Sequence, residues 1–174
     1  MKKVAIAVLL STIAIPVFAE DMHMYLGVRA GQAKTSIDNV VLSTDNPTAY
    51  GVLIGHTFSS ALAVEAEYLN LGEIRAGTGS VETTGISVSG VASLPLGDQF
   101  SLFGKLGYAM LSSKPSGSFI GADAKSDDVT YGFGGQFNMG PTTGIRLGWD
   151  KYKIEDGTFT GDISLMSVGG VFKF

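Results

Sequence analysis

Cysteine is missing from all 174 residues of this chain. A disulfide framework and a cysteine-based metal site are therefore both excluded. Charged residues are scarce, at 16 % of the chain, and acids outnumber bases, which gives a formal net charge of -4. Nucleic-acid binding usually needs a basic patch, so this balance argues against a nucleic-acid partner.

Long hydrophobic runs are also scarce. After residue 19 no apolar run reaches the roughly 20 residues that a membrane-spanning helix needs. Mean hydropathy is nevertheless +0.27, and glycine is abundant, with 24 residues. A hydrophobic, glycine-rich chain without long apolar runs is typical of β-strands whose side chains alternate in polarity.

The first 19 residues predict a secretory signal peptide. Met1-Lys2-Lys3 is a short basic segment, an apolar stretch covers residues 4–17, and cleavage after Ala19 fits the small residues found there. The mature chain, residues 20–174, then carries a formal net charge of -6, that is -4 less the two lysines lost. An uncleaved membrane anchor is the alternative, but the apolar stretch is too short for one.

The last nine residues alternate between two faces, as the side chains of a β-strand do. One face is apolar and ends in two aromatic residues, whereas the other is mostly small or polar. A strand in lipid needs this arrangement, with apolar side chains outward and an aromatic ring at the interface. The apolar face comprises Met166, Val168, Phe172 and Phe174, and the opposite face comprises Ser167, Gly169, Val171 and Lys173.

The same alternation recurs in seven earlier segments, and each is about as long as a tilted membrane strand. Long polar connections alternate with short turns, which is the pattern of outer-membrane barrels. Because unpaired backbone groups are costly in lipid, the last strand must pair with the first. We therefore predict an all-β fold, an eight-stranded antiparallel up-and-down transmembrane β-barrel. The predicted strands cover residues 22–32, 50–58, 62–71, 84–94, 100–110, 129–138, 143–152 and 166–174, with long loops at 33–48, 72–82, 112–128 and 153–161.

Aromatic residues on the predicted outward faces sort by strand end. We interpret them as two girdles at the two membrane interfaces, which a soluble ligand-carrying barrel such as a lipocalin has no reason to make. Next to the short turns lie Phe58, Phe100 and Phe137, with Phe174 at the C-terminus; toward the long loops lie Tyr50, Tyr68, Tyr108, Tyr131 and Trp149.

Five charged residues fall on the predicted inward faces, at comparable distances from the short turns. Because charge is costly against lipid, we predict that they form one ion-pair network that fills and neutralises the lumen. A gated, narrow ion path is the alternative interpretation of the same side chains. The five are Arg29, Glu65, Glu67, Lys105 and Arg146.

Several short motifs resemble the OmpA-type eight-stranded outer-membrane barrels and their small relatives. They are YLGVRAG at 25–31, Val64-Glu65, FGKLG at 103–107, GIRL at 144–147 and SVGGVFKF at 167–174. The resemblance covers nearly all of the mature chain. It implies insertion by the barrel assembly machinery, with Phe172 and Phe174 as the C-terminal assembly signal, and escort by periplasmic chaperones.

Two departures from the OmpA pattern limit what the resemblance implies. That pattern has an inward Lys on strand four and an inward Glu on strand six, whereas this chain has Val91 and Gln136. A salt-bridge switch proposed for that family needs both residues, so no gating role is carried over. We also expect no peptidoglycan-binding domain after the barrel, so the resemblance implies no wall-tethering role.

We expect a non-enzymatic integral outer-membrane protein of a Gram-negative bacterium, which presents four external loops for adhesion, envelope integrity or defence. A narrow ion channel or small porin is the alternative. A lipid A-modifying enzyme ranks lower, because its Ser would need a His base near the outer end. His23 instead lies at the periplasmic start and His56 faces lipid near the periplasmic end.

The expected surroundings of the barrel are outer-membrane lipid and lipopolysaccharide, and we expect it to be a monomer. No catalytic residue, cofactor or metal site is expected.

Overall fold

The computed structural model describes residues 23–37, 46–76, 79–116, 124–156 and 159–174. The predicted signal peptide, residues 1–19, lies outside these ranges. The described residues include no helix that is long and apolar enough to span a membrane. The strands are β1 (Met24–Ile37), β2 (Thr48–Ser59), β3 (Leu62–Ala76), β4 (Gly79–Pro95), β5 (Phe100–Ser116), β6 (Ala124–Asn138), β7 (Thr143–Asp156) and β8 (Phe159–Lys173).

The eight strands form one closed antiparallel barrel in sequence order. Closure is made by β1 and β8, whose register places Val28 opposite Gly170 and Tyr25 opposite Lys173. Every strand therefore has a partner on both sides, so the backbone groups of the sheet need no solvent. The predicted fold class, an eight-stranded up-and-down barrel, is confirmed.

Large apolar side chains cover the outside of the barrel, the reverse of a soluble protein. Along β1, Val28 is 62 % exposed whereas Tyr25 is 4 % exposed, and along β2 exposed and buried residues alternate over most of the strand. On β5, Leu106 is 64 % exposed and Phe103 only 6 %. Side chains that alternate in polarity along each strand thus point alternately to the lipid-facing surface and to the lumen.

Short turns join the strands at one end of the barrel, which we call the turn end. They are Ser60-Ala61, residues 96–99 and residues 139–142. Gly97 in the second turn has a φ of 107°, a left-handed conformation that glycine adopts without a Cβ clash. Both His23 and Phe174 lie at this end. The opposite end, where the longer connections lie, we call the loop end.

The strands are longer than predicted at the loop end. β8 begins at Phe159, inside the loop predicted at 153–161, β5 continues to Ser116, and most of the loop predicted at 72–82 belongs to β3 and β4. Polar residues on both faces led to the prediction of loops there. These polar residues instead mark the point at which a strand leaves the lipid. Beyond that point the strand stays hydrogen-bonded to its neighbours and is surrounded by water. Of the predicted loops, residues 38–45, 77–78, 117–123 and 157–158 lie outside the described residues.

The lumen is packed in layers along its axis. Toward the loop end lies an apolar cluster, which we call the apolar plug: Ala33, Ala49, Leu69, Leu71, Ala109, Leu111, Tyr152, Ile163 and Leu165. A smaller apolar group of Tyr25, Leu53 and Val171 lies toward the turn end, with Ala63 packed against it. The charged residues lie between these two groups, and this position decides what the lumen can do.

Candidate functional site: the charged layer of the lumen

All five charged residues predicted for the lumen point inward and lie in one layer. Arg29 on β1 reaches across to β3, where its Nε donates to Glu67 Oε1 and its Nη2 donates to Glu67 Oε2 at 2.8 Å. Two parallel hydrogen bonds of this kind hold a guanidinium and a carboxylate in a fixed geometry. Both side chains are at least nine-tenths buried, so neither can exchange its partner for water.

A second pair forms nearer the turn end. Arg146 on β7 donates through Nη1 to Glu65 on β3, and the Tyr25 hydroxyl donates to the same Glu65 oxygen at 2.6 Å. The Arg146 guanidinium also lies over the rings of Tyr25, at 5.6 Å, and Phe103, at 4.8 Å. These aromatic faces stabilise the cation.

Asp150 on β7 links Arg29 to Lys105, although it was left out of the predicted network. Its Oδ2 accepts from Arg29 Nη1, and its Oδ1 lies 2.9 Å from Lys105 Nζ as an ion pair. This contact is an ion pair and not a hydrogen bond, and within the described part of the chain Asp150 Oδ1 has no hydrogen-bond partner. Lys105 Nζ is also 3.7 Å from Glu67 Oε2.

Asp150 makes the layer electrically neutral. The predicted five residues comprise three cations and two anions, whereas the layer with Asp150 has three of each. Burying one uncompensated charge costs several kcal/mol, so the imbalance in the predicted set was itself a signal that an acid was missing. Asp150 falls on the inward face of its strand, two residues after Gly148, and the alternation alone could have found it.

Two further polar residues complete the layer and were not predicted. The Tyr152 hydroxyl accepts from Arg29 Nη2 at 2.8 Å, and Gln136 Oε1 accepts from Arg146 Nε at 3.2 Å and Nη2 at 3.0 Å. Gln136 stands where the OmpA pattern has an acid, and it stabilises Arg146 without adding a charge. Val91, at the other departure from that pattern, is 3 % exposed and carries no polar group.

Inward glycines give these side chains their room. A Cβ at Gly51 would lie 2.6 Å from Glu67 Oε1, and one at Gly169 would lie 2.8 Å from Arg29 Cβ. Both distances are below ordinary van der Waals contact. The glycines therefore determine where the arginine and its carboxylate partner can lie across the lumen.

Open space in the lumen differs between the two ends. At the turn end a cavity of about 230 Å³ is lined by Arg146, Asn138 and Lys173, among others. Within the charged layer, a cavity beside Asp150 measures only about 20 Å³. Toward the loop end, plug residues such as Leu69 and Leu71 are 1–2 % exposed. The described side chains thus leave a vestibule at one end and a filled lumen beyond it.

The aromatic residues predicted as girdles all lie on the outer surface. Phe58, Phe100 and Phe137 lie at strand ends beside the turns, and each is more than 40 % exposed. Toward the loop end lie Tyr50, Tyr68, Tyr108, Tyr131 and Trp149. Trp149 packs against Phe133, with ring centroids 5.4 Å apart, and against Tyr131 at 6.1 Å.

The two predicted assembly residues also face outward at the turn end. Phe172 is 53 % exposed and Phe174 is 61 % exposed. The Phe174 amide donates to the Met24 carbonyl at 3.0 Å, which fixes the end of β8 to the start of β1.

The two histidines lie at the turn end. The His23 backbone is hydrogen-bonded to Thr57, and the His56 ring contacts Phe58 edge-on at 5.1 Å. The described residues include no group of three metal-ligating side chains close enough to hold an ion.

A scan against protein-family profiles matches residues 5–174 to the outer membrane protein beta-barrel domain. The chain belongs to this family. The predicted resemblance to small OmpA-type barrels is thereby confirmed. A search of curated protein sequences gave no significant match.

Solved structures of outer-membrane barrels share the fold at low sequence identity. The attachment invasion locus protein Ail of Yersinia pestis superposes with a TM-score of 0.66 at 18 % identity, over 88 % of this chain and 99 % of that one. Neisserial surface protein A gives 0.71 at 16 % identity, over 87 % and 97 %. The N-terminal barrel domain of Pseudomonas aeruginosa OprF gives 0.62 at 12 % identity, over 86 % and 97 %. Identity this low shows the fold alone.

Proposed function

We propose that this chain is a non-enzymatic outer-membrane barrel whose loop end faces outward and whose connections interact with surfaces outside the cell. The observation that carries the proposal is the filled lumen. An apolar plug above a neutral charged layer leaves little room or binding capacity for a solute in the described lumen. The outer end is therefore the surface at which we expect the function.

The strand extensions support this proposal. β5 continues eight residues beyond Tyr108, a residue of the loop-end girdle, before it ends at Ser116. At a rise of about 3.3 Å per residue along a tilted strand, this carries the connection roughly 20 Å above the interface. A rigid ladder that holds its loops clear of the lipid suits contact with another surface. Ail, which has the same fold, is named for attachment and invasion.

The proposal includes the route to the membrane. Residues 1–19 serve as a cleaved export signal, periplasmic chaperones hold the unfolded chain, and the assembly machinery inserts it from Phe172 and Phe174. The inserted barrel is a monomer in lipid and lipopolysaccharide. Mass spectrometry of the protein purified from outer membranes should give a mature N-terminus at Glu20.

A loop-exchange experiment tests the surface role. Residues 38–45 and 117–123 are replaced together by glycine-serine segments of equal length in one variant. A matched variant keeps these connections but carries Leu69→Ala in the plug. In a strain that lacks the chromosomal gene, the loop variant should assemble yet fail to restore binding to surfaces coated with host-cell extract. The plug variant should restore it. Full binding by the loop variant would refute the surface role.

A narrow channel is the alternative function, and the vestibule beside Arg146 is the observation that favours it. Ions would then have to pass the apolar plug. We expect the purified barrel to show no unitary conductance in planar lipid bilayers. Steady conductance that changes when Lys105 is replaced by Gln would establish the channel and displace our proposal.

A further inference from the structure

Three lysines lie together on the outer surface of β1, β7 and β8 at the loop end. Lys34 on β1 and Lys151 on β7 are both in register with Ser164 on β8. Neighbouring strands are about 4.8 Å apart, so the two lysine backbones flank β8 at a separation of roughly 10 Å. Lys153 follows two residues later on the same face of β7. We call Lys34, Lys151 and Lys153 the lysine patch.

Among the side chains that the structure describes, the patch is basic whereas the rest of the outward surface at the loop end is acidic. Asp162 on β8 is an acid beside the patch, and its Oδ2 lies 2.7 Å from Lys151 Nζ. Together with Asp162, the three lysines carry a net charge of +2. Elsewhere on the described outward surface of the loop end, the charged side chains are Glu73, Glu82, Lys114 and Asp127, which sum to -2. The mature chain is acidic overall, so the patch does not follow from composition.

The height of the patch places it at the lipid headgroups. Lys151 is two residues beyond Trp149 on β7 and lies in register with Tyr131 on β6, and both aromatic residues belong to the loop-end girdle. Tryptophan and tyrosine mark the level of the headgroups. Lys151 and Lys153 lie two and four residues beyond Trp149, which on a tilted strand is a rise of roughly 5–10 Å. An extended lysine side chain is long enough to reach back from this height to the interface.

Below the patch the surface suits acyl chains. On β8, Met166 is 69 % exposed and Val168 is 52 % exposed. Next comes Gly170, which lies between Val28 and Ile145 and has open space where a Cβ would be. The three lysines therefore lie directly above an apolar strip with a shallow groove.

We propose that the lysine patch binds the phosphorylated headgroup of lipid A, with the acyl chains along β8 and a phosphate between Lys34 and Lys151. Lysine binds phosphate as a point charge and does not need the planar geometry of arginine. Ser164, between the two lysines, can donate a hydrogen bond to the same group. This inference rests on the proposed function only in taking the loop end as the outward end.

The fluorescence of Trp149 gives a direct assay, because it is the single tryptophan of the chain and lies next to the patch. Detergent-purified protein is titrated with diphosphoryl lipid A, dephosphorylated lipid A, inorganic phosphate and heparin. We expect saturable binding of diphosphoryl lipid A that weakens as salt is added, since exposed charges are screened. Dephosphorylated lipid A and inorganic phosphate should bind at least tenfold more weakly, because the first lacks the phosphates and the second lacks the acyl chains.

Two double variants that remove equal charge localise the site. Lys34→Gln/Lys153→Gln keeps the Lys151–Asp162 pair and should weaken lipid A binding by about tenfold or more, given the usual contribution of a lysine near an anionic surface. Lys114→Gln/Lys173→Gln, which lies away from the patch, should bind as the wild type does. Lys34→Arg/Lys153→Arg should retain binding. Folding of each variant is checked by its mobility on unboiled gels.

The proposal is overturned if the Lys34→Gln/Lys153→Gln variant binds lipid A as tightly as the wild type. It is also overturned if phosphate removal has no effect, or if heparin binds and lipid A does not, which would assign the patch to a sulfated polysaccharide. These outcomes differ from failure of the surface role. Lipid A binding is measured on purified protein with its connections intact, whereas the loop-exchange experiment measures the binding of whole cells to a coated surface.

Discussion

Glu65 shows how much one residue contributes inside this lumen. Its carboxylate is 3 % exposed and is stabilised by the Arg146 guanidinium and the Tyr25 hydroxyl. Removing the carboxylate leaves a buried arginine without its counter-charge, which costs more than the pair contributes. The same consideration applies to each charged residue of the layer.

We predict that Glu65→Ala lowers the free energy of unfolding by about 3–5 kcal/mol. Urea unfolding in detergent micelles, followed on unboiled gels, measures the loss. Asp162→Ala is the control, because its partner Lys151 is partly exposed and such pairs contribute at most about 1 kcal/mol. Equal losses in the two variants would mean that Glu65 is not part of a buried network.

Adjacent glycines on β8 provide a second test at the residue scale. We predict that Gly169→Ala, on the inward face, destabilises the barrel by about 1–3 kcal/mol through overpacking against β1. Gly170→Ala, on the outward face, should be neutral or slightly stabilising, because a Cβ there meets nothing within 4 Å. The same urea titration compares them, and the reverse order of stability would contradict the assigned faces.

Inward-facing positions could be predicted from the sequence, but not all of their contacts. Alternation placed Arg29 and Glu67 in the lumen, and the structure shows them hydrogen-bonded through two oxygens. Alternation alone does not give the stagger of a closed barrel, so it could not show that Arg29 on β1 meets Asp150 on β7. That contact depends on closure between β1 and β8 and on the tilt of the strands.

At the scale of the elements, strand ends were the part that the sequence described least well. Ala33 and Leu111 continue the inward alternation past the predicted ends of their segments, and both belong to the apolar plug. The polar residues beside them resembled a loop. A strand that leaves lipid for water loses its apolar outer face but keeps its backbone partners, so polarity alone cannot distinguish the two cases.

The extension of β8 can be measured by amide hydrogen exchange. Ile163 lies in the sheet between Thr35 on β1 and Tyr152 on β7, so we predict that its amide and that of Leu165 are as protected as that of Val168. Two-dimensional NMR spectra of the barrel in nanodiscs would report this. Exchange at these two amides at the rate of an unstructured peptide would contradict a strand β8 that begins at Phe159.

The C-terminal strand also carries the predicted assembly signal. We predict that Phe172→Ala/Phe174→Ala reduces assembled barrel in cells several-fold, while purified protein still refolds in detergent. Phe133→Ala/Phe137→Ala removes two outward rings of similar exposure elsewhere on the barrel and serves as the control. If both pairs reduced assembly equally, the effect would reflect lost lipid contact and not recognition of β8.

At the scale of the whole molecule, the layered lumen and the outer surface have separate roles. The neutral charged layer and the apolar plug fill the centre, so that the barrel is a rigid support. Its outer surface has an apolar band, aromatic rings at both ends, and charge that is unevenly distributed above the lipid. This division explains how a chain with few charged residues can place six of them in its core and still present a basic patch to the headgroups.

The central claim is that apolar side chains face hydrocarbon while the ionised residues lie inside a closed cylinder. Methyl-labelled protein in lipid nanodiscs tests this most directly, through nuclear Overhauser contacts between protein methyl groups and acyl-chain protons. We predict contacts at Val28, Val88, Leu106, Leu147 and Val168, and none at Leu53, Val91, Leu111, Leu165 and Val171. Acyl-chain contacts at the second group, or their absence at the first, would contradict it.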